Sequence, residues 1–147
     1  METTLYRWIG WTAAASPRVP ALARRRRILV ADDNRDAASS LTLMLQLMGH
    51  EVFTAYDGLE AFELAEGCRP DAVLLDIGMP RLNGFDVAKR IREAQWGRGV
   101  MIIAITGWGT EQDRRRSHES GFDFHIVKPA NPVTLQKLLS EPPPPVV

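Results

Sequence analysis

Arg27-Ile28-Leu29-Val30-Ala31-Asp32-Asp33 is an apolar run that ends on two adjacent acids. A second run, Ala72-Val73-Leu74-Leu75, ends on Asp76. A strand needs no acid at its tip for stability. Three carboxylates gathered at one sheet edge repel, at about 1 to 4 kcal/mol per pair near 4 Å. A cation must offset that repulsion, and the usual candidates are a hard divalent ion with oxygen ligands and a fixed lysine. The chain supplies the lysine: Lys128 follows a further apolar run, Phe124-His125-Ile126-Val127.

Working outward from these runs, strand and helix patterns alternate five times. Asn34 is placed to cap a helix carrying Ala37, Ala38, Leu41, Leu45 and Met48 at helical spacing, with Gly49 as its left-handed end. Glu51 to Tyr56 reads as a short strand, and Leu59 to Glu66 as a helix stopped by Gly67. Phe85, Val87, Ala88 and Ile91 mark a third helix, broken around Gly97 and Gly99. Val100 to Ile105 is a fully apolar strand, 110–120 a polar helix ending at Gly121, and 133–139 a last helix with Leu135, Leu138 and Leu139 inward. Continuous apolar strands indicate burial on both faces. The expected fold is therefore α/β: a single doubly wound, five-stranded parallel sheet with helices on both faces, flavodoxin-like, with right-handed crossovers.

In such sheets, sites form at the carboxyl ends of strands near the switch in strand order. Asp32 and Asp33, Asp76, Thr106 and Lys128 all fall at strand ends. A carboxylate attacks phosphorus when a metal and a lysine neutralise the transferred oxygens. Asp76, ahead of the turn Gly78-Met79-Pro80, is the candidate nucleophile. Asp33, with Asp32 helping, is expected to hold Mg2+, with the Gly78 carbonyl as a further ligand. Thr106 would bond one phosphoryl oxygen and Lys128 pair with another. Lys128-Pro129 suggests a fixed turn with a cis peptide bond.

Each residue also has a blander reading. A lone Asp32 or Asp33 would be a helix cap, Asp76 a turn former, Thr106 a strand residue and Lys128 a solvated charge. Agreement of four strand ends favours the site.

The chain has 147 residues, expected to form one domain with tails: a flexible extension over 1–26, a body over 27–140, and a proline-rich tail over 141–147. Residues 1–27 carry six arginines and one glutamate, a net +5 that the remainder balances at −5. The acidic body argues against nucleic-acid binding. Leu5 to Ser16 is too short to span a membrane and is interrupted by Arg7, so no membrane partner is expected and an interfacial anchor is the minority reading. The lone Cys68 fits a reducing compartment, and the chain is expected to be cytoplasmic.

Asp32-Asp33, Asp76 followed by Met79-Pro80, Thr106-Gly107 and Lys128-Pro129 together resemble the receiver domain of bacterial two-component response regulators. The stretches Thr106 to Gly109 and Gly121 to Pro129 resemble in particular receivers of hybrid histidine kinases. The resemblance implies that Asp76 accepts a phosphoryl group from a histidine kinase or histidine phosphotransfer protein. It implies that Asp32, Asp33, Asp76 and the Gly78 carbonyl bind Mg2+, and that Thr106 and Lys128 sense the phosphoryl group. Thr106 and the residue three before the lysine, His125, would form the switch. Histidine at that position and glycine at 78 depart from the usual aromatic and polar residues of the family. Trp108, two residues after Thr106, is placed to shield the site.

The expected function is a single-domain phosphorylation switch, not an enzyme beyond its own self-catalysed phosphorylation and dephosphorylation. The helix with Arg114, Arg115 and Arg116 is read as solvated, with partner docking or a homodimer contact as the alternative. The downstream protein target has no signature in the sequence. A degenerate receiver, acting only as a binding module, is the competing reading. A haloacid dehalogenase-type phosphohydrolase is disfavoured, since it needs a second acid where Gly78 stands.

Overall fold

The computed structural model describes residues 25–107 and 111–140. Five strands, β1 (Arg27–Ala31), β2 (Glu51–Ala55), β3 (Ala72–Asp76), β4 (Met101–Thr106) and β5 (Phe124–Val127), form one parallel sheet in the order β2-β1-β3-β4-β5. They alternate with α1 (Arg35–Leu47), α2 (Gly58–Cys68), α3 (Gly84–Glu93), α4 (Glu111–Ser120) and α5 (Pro132–Ser140). The doubly wound flavodoxin-like reading therefore holds. The predicted N-terminal extension before residue 25, the tail and Trp108 lie outside the described residues.

Period-2 alternation divides the core between the two faces of the sheet. Ile28, Val30, Leu74, Ile103 and Ile105 pack with Leu45 of α1 and with Leu135, Leu138 and Leu139 of α5. Leu29, Val73, Leu75, Ile102 and Ala104 pack with Ala61 and Ala65 of α2 and with Phe85, Ala88 and Ile91 of α3. The central strands are buried throughout their apolar length, as continuous Val/Ile/Leu runs require. Each fully buried leucine contributes about 1.5–3 kcal/mol.

Short polar side chains start the helices. Asn34 Oδ1 accepts from Ala37 N–H, Asp57 from Glu60 N–H and Asn83 from Asp86 N–H, at 3.0, 2.8 and 3.0 Å. Asn131 Oδ1 does the same for α5, taking Val133 N–H at 2.8 Å. Each cap follows a strand end closely, so the helix N-termini ring the carboxyl edge of the sheet.

Several boundaries differ from expectation. Gly67 does not stop α2: the helix runs on to Cys68, and Arg69, at φ 50°, takes the left-handed cap. Burial of Cys68 and the Arg69 guanidinium over the Trp96 ring, 5.3 Å from its centroid, hold that extra turn. Val100 precedes β4 rather than starting it, because its N–H turns back to Gly97 O. The break after α3 is filled by a 3-10 turn at Gln95–Gly97. Gly49, at φ 99°, follows α1 in the left-handed region as expected.

Candidate functional site

The strand order reverses between β1 and β3, so the ends of these two neighbours open a crevice. Asp32 and Asp33 follow β1, and Asp76 is the last residue of β3. Carboxylate oxygens of the three lie within 4.8 Å of one another. Asp32 is buried, Asp76 half-buried and Asp33 exposed.

Lys128 enters from the end of β5. Its Nζ donates to Asp32 Oδ2 at 3.1 Å and lies 3.7 Å from Asp76 Oδ1. The other Asp32 oxygen accepts Asn34 N–H at 2.9 Å, which fixes that carboxylate at the start of α1. The Lys128–Pro129 peptide is cis. Lys128 N–H donates to Thr106 O at 2.7 Å, so the ends of β4 and β5 are tied where the lysine leaves the sheet. Thr106 is buried there.

Electrostatics follow from this arrangement. Burial, and next the Asp32 charge, push the Asp76 carboxyl up to about 6, against the opposing pull of Lys128 and a backbone hydrogen bond from Gly78. Burial by itself would lower the Lys128 ammonium, but the Asp32 hydrogen bond and the surrounding carboxylates outweigh it and raise it. One ammonium facing three carboxylates leaves the cluster short of positive charge. That donor set, all oxygen and net negative, fits a hard divalent cation such as Mg2+.

The predicted switch pair is divided between two elements. His125 on β5 sits beside Ala104 of β4, and its Nδ1 lies 3.0 Å from Ser117 Oγ on α4. The Ser117 hydroxyl donates to Asp113 O at 3.0 Å, so its single proton is used and His125 Nδ1–H donates to the serine oxygen. Ser117 has no signature in the sequence: α4, Glu-Gln-Asp-Arg-Arg-Arg-Ser-His-Glu-Ser, carries no apolar residue to show which face is inward. Its anchors are polar, namely buried Ser117 and Ser120 and the Arg116 guanidinium 4.1 Å from the centroid of Phe85.

Sequence reasoning also missed how the loop after Asp76 is held. Arg81, at φ 70°, pairs with Asp57 at the start of α2 at 3.7 Å. Beside the acids, a groove of about 450 Å3 between α1 and the turn after β5 is lined by Asp32, Ala37, Leu41, Met44, Ile105 and Lys128, among others. Among the described residues, no helix is long and apolar enough to cross a membrane.

Residues 28–140 match the family model described as the response regulator receiver domain. The response regulator MprA of Mycobacterium sp. (strain KMS) is 38% identical over 114 residues, which are 78% of this chain and 47% of MprA. The chain thus spans about half the length of that relative. The chemotaxis protein CheY4 of Vibrio cholerae superposes with a TM-score of 0.74 at 31% identity, covering 79% of this chain and 97% of that one. The receiver domain of sensor histidine kinase PA1611 from Pseudomonas aeruginosa, solved with magnesium coordinated in its active-site cleft, gives 0.73 at 33% identity, covering 79% and 95%.

Proposed function

This chain belongs to the response regulator receiver domain family of two-component signalling, and we propose that Asp76 is its phospho-acceptor. The observation that carries this reading is the convergence of Asp32, Asp33, Asp76 and Lys128 from three strand ends onto one crevice.

One Oδ of Asp76 attacks the phosphorus carried by a histidine of a kinase or phosphotransfer partner. The new P–O bond forms as the P–N bond breaks. The bond's electron pair stays on the donor imidazole, which takes up a proton from solvent, and Asp76 becomes an acyl phosphate. Lys128 Nζ, already 3.7 Å from Asp76, pairs with a transferred oxygen. Thr106, at the end of β4, bonds another. Asp32, Asp33, Asp76 and the Gly78 carbonyl would hold Mg2+, which when bound neutralises charge on the phosphoryl oxygens. The apolar groove seats the histidine-bearing partner, since Asp32 and Lys128 belong to its lining.

The acyl phosphate carries about −2 charge beside Lys128 and Thr106, where the carboxylate carried −1. α4 and β5 are the elements this charge biases, through Thr106 and the His125–Ser117 bond. A helix with no apolar side chain of its own is cheap to move. External phosphate esters are not turned over: the second acid that a haloacid dehalogenase-type hydrolase places two residues after its nucleophile is Gly78 here. The buried, free thiol of Cys68 supports a reducing, cytoplasmic setting.

The test is phosphorylation by acetyl phosphate with Mg2+, read as a hydroxylamine-labile mobility shift. The shift should need both Asp76 and metal, disappearing in Asp76→Asn and in EDTA. Absence of a shift with acetyl phosphate and with phosphorylated histidine donors would leave only the binding-module reading.

A further inference from the structure

Gly84 is the first residue of α3 and is buried. Its φ lies outside the left-handed region, so conformational freedom does not explain a glycine there. Glycine also weakens a helix relative to alanine. What demands glycine is space. A Cβ at this position would lie 2.8 Å from the Asp76 carbonyl oxygen, 2.8 Å from Ile77 Cα and 3.3 Å from the Asp76 carbonyl carbon. All three are backbone atoms of the segment that carries the phospho-acceptor, and none can rotate away.

The sheet alone holds this segment loosely. The bond from Ile77 N–H to Ile105 O is stretched to 3.4 Å, whereas Gly84 N–H donates to Ile77 O at 2.9 Å. The grip on the chain passes from β4 to the N-terminus of α3 at Ile77, between Asp76 and Gly78. Farther along the loop, Gly58 of α2 sits closer still: a Cβ there would be 1.5 Å from Leu82 O.

We infer that Gly84 is a positioning residue for the phosphorylation site: its missing side chain lets α3 seat on the Asp76–Ile77 backbone, and that seating sets Asp76 and Gly78 against Asp32 and Asp33. The inference rests on the divalent-metal reading of those residues. A methyl group at 84 pushes Asp76 and Ile77 by a few tenths of an ångström relative to β1. Mg2+ demands near-ideal octahedral geometry at about 2.0–2.1 Å, so it registers a shift that the hydrophobic core tolerates.

The test titrates Mg2+ calorimetrically into the full wild-type chain, Gly84→Ala and Gly97→Ala, with urea unfolding of each. Gly97 is the structural comparison: a Cβ there would lie 1.8 Å from Ile91 O, at the far end of α3 from the acids. Gly84→Ala should bind Mg2+ at least tenfold more weakly and need correspondingly more Mg2+ for half-maximal phosphorylation by acetyl phosphate. Gly97→Ala should lose more stability yet keep Mg2+ affinity within twofold. If Gly84→Ala is unfolded at 25 °C, trimethylamine N-oxide restores the compact state, and all three chains are titrated in it. Mg2+ affinity within twofold of wild type in folded Gly84→Ala overturns the inference, as does an equal loss in Gly97→Ala. Failure of the wild type itself to bind Mg2+ overturns the metal reading beneath it.

Discussion

Lys128 Nζ donates to Asp32 Oδ2 at 3.1 Å and stands farther, 3.7 Å, from Asp76. Among the described residues, the one ammonium in the crevice is therefore engaged first by the β1 acid. Asp76, half-buried and beside the Asp32 charge, is left undercompensated, and its carboxyl rises to about 6. On the proposed reading, a carboxyl held in this way is ready to accept positive charge from a metal and to lose its proton near pH 6.

Mg2+ affinity should follow that proton. Above pH 6 Asp76 is a carboxylate and binding is independent of pH. Below pH 6 a proton competes for the ligand, and the Mg2+ Kd rises up to tenfold per pH unit. The acetyl phosphate reaction should slow over the same range, since a protonated carboxyl is no nucleophile. Calorimetric titrations at pH 5, 6 and 7.5 check this, and a flat profile would refute it.

Stability of the metal-free domain should fall as pH rises from about 4 to 6. The folded carboxyl, raised above its ordinary 3.8, keeps a proton through this window that the unfolded chain has released. Above 6 the contribution is constant. Asp76→Asn abolishes the slope and stabilises the apo domain at pH 7 by about 1–3 kcal/mol. Urea midpoints at pH 4.5 and 7, compared between the two chains, measure it.

Lys128→Met should destabilise the apo domain at pH 7 by about 1–2 kcal/mol. Breaking a fully buried pair costs about 3–5 kcal/mol, but a third of this lysine side chain meets solvent, which screens the loss. Because its ammonium is raised in the folded state, the lysine's contribution is complete below its ordinary 10.5 and fades as pH climbs through the folded value. The difference between wild type and variant should therefore shrink in strongly alkaline buffer.

The fold and the acids were legible because their signals are local. Ile28 to Ala31 and Ala72 to Leu75 declare buried strands by themselves, and an acid at the tip of each stands out against them. α4 announces its helix but not its inward face, since Ser117 and Ser120 look no different in sequence from solvated serines. Gly67 misled because the left-handed end of α2 depends on a tertiary contact, Arg69 over Trp96. The tight seats of Gly58 and Gly84 were invisible for the same reason: the atoms that exclude a Cβ come from segments 24 and about eight residues away.

Arg92 should prove a structural staple independent of the site. Its guanidinium donates to Gly97 O, Val100 O and Gly121 O at 2.9, 2.7 and 2.9 Å, and pairs with Asp123 at 2.8 Å. Asp123 Oδ2 also takes Ile102 N–H at 2.9 Å, joining the starts of β4 and β5. Arg92→Met strands these carbonyls and should cost about 2–4 kcal/mol. These contacts lie at the amino ends of the strands, so Mg2+ affinity should stay within twofold of wild type, and a larger loss would show that the two ends are coupled.

Ser117→Ala tests the path from site to surface. Ser117 is 1% exposed, and its oxygen hydrogen-bonds the His125 ring from α4. Deleting it removes two hydrogen bonds, but Asp113 O keeps its helical backbone partner, so the net loss is about 1 kcal/mol. Apolar packing spreads such a loss over the whole core, but α4 has no apolar side chain through which to spread it. The cost should therefore appear as local opening. Amide exchange in 111–120 should accelerate about fivefold, with α1 to α3 unchanged. If phosphorylation at Asp76 works by shifting α4 through His125, the variant should also show a smaller exchange difference between its phosphorylated and unphosphorylated forms. An α4 whose exchange is untouched by Ser117→Ala would place the coupling elsewhere, in the Thr106–Lys128 tie at the ends of β4 and β5.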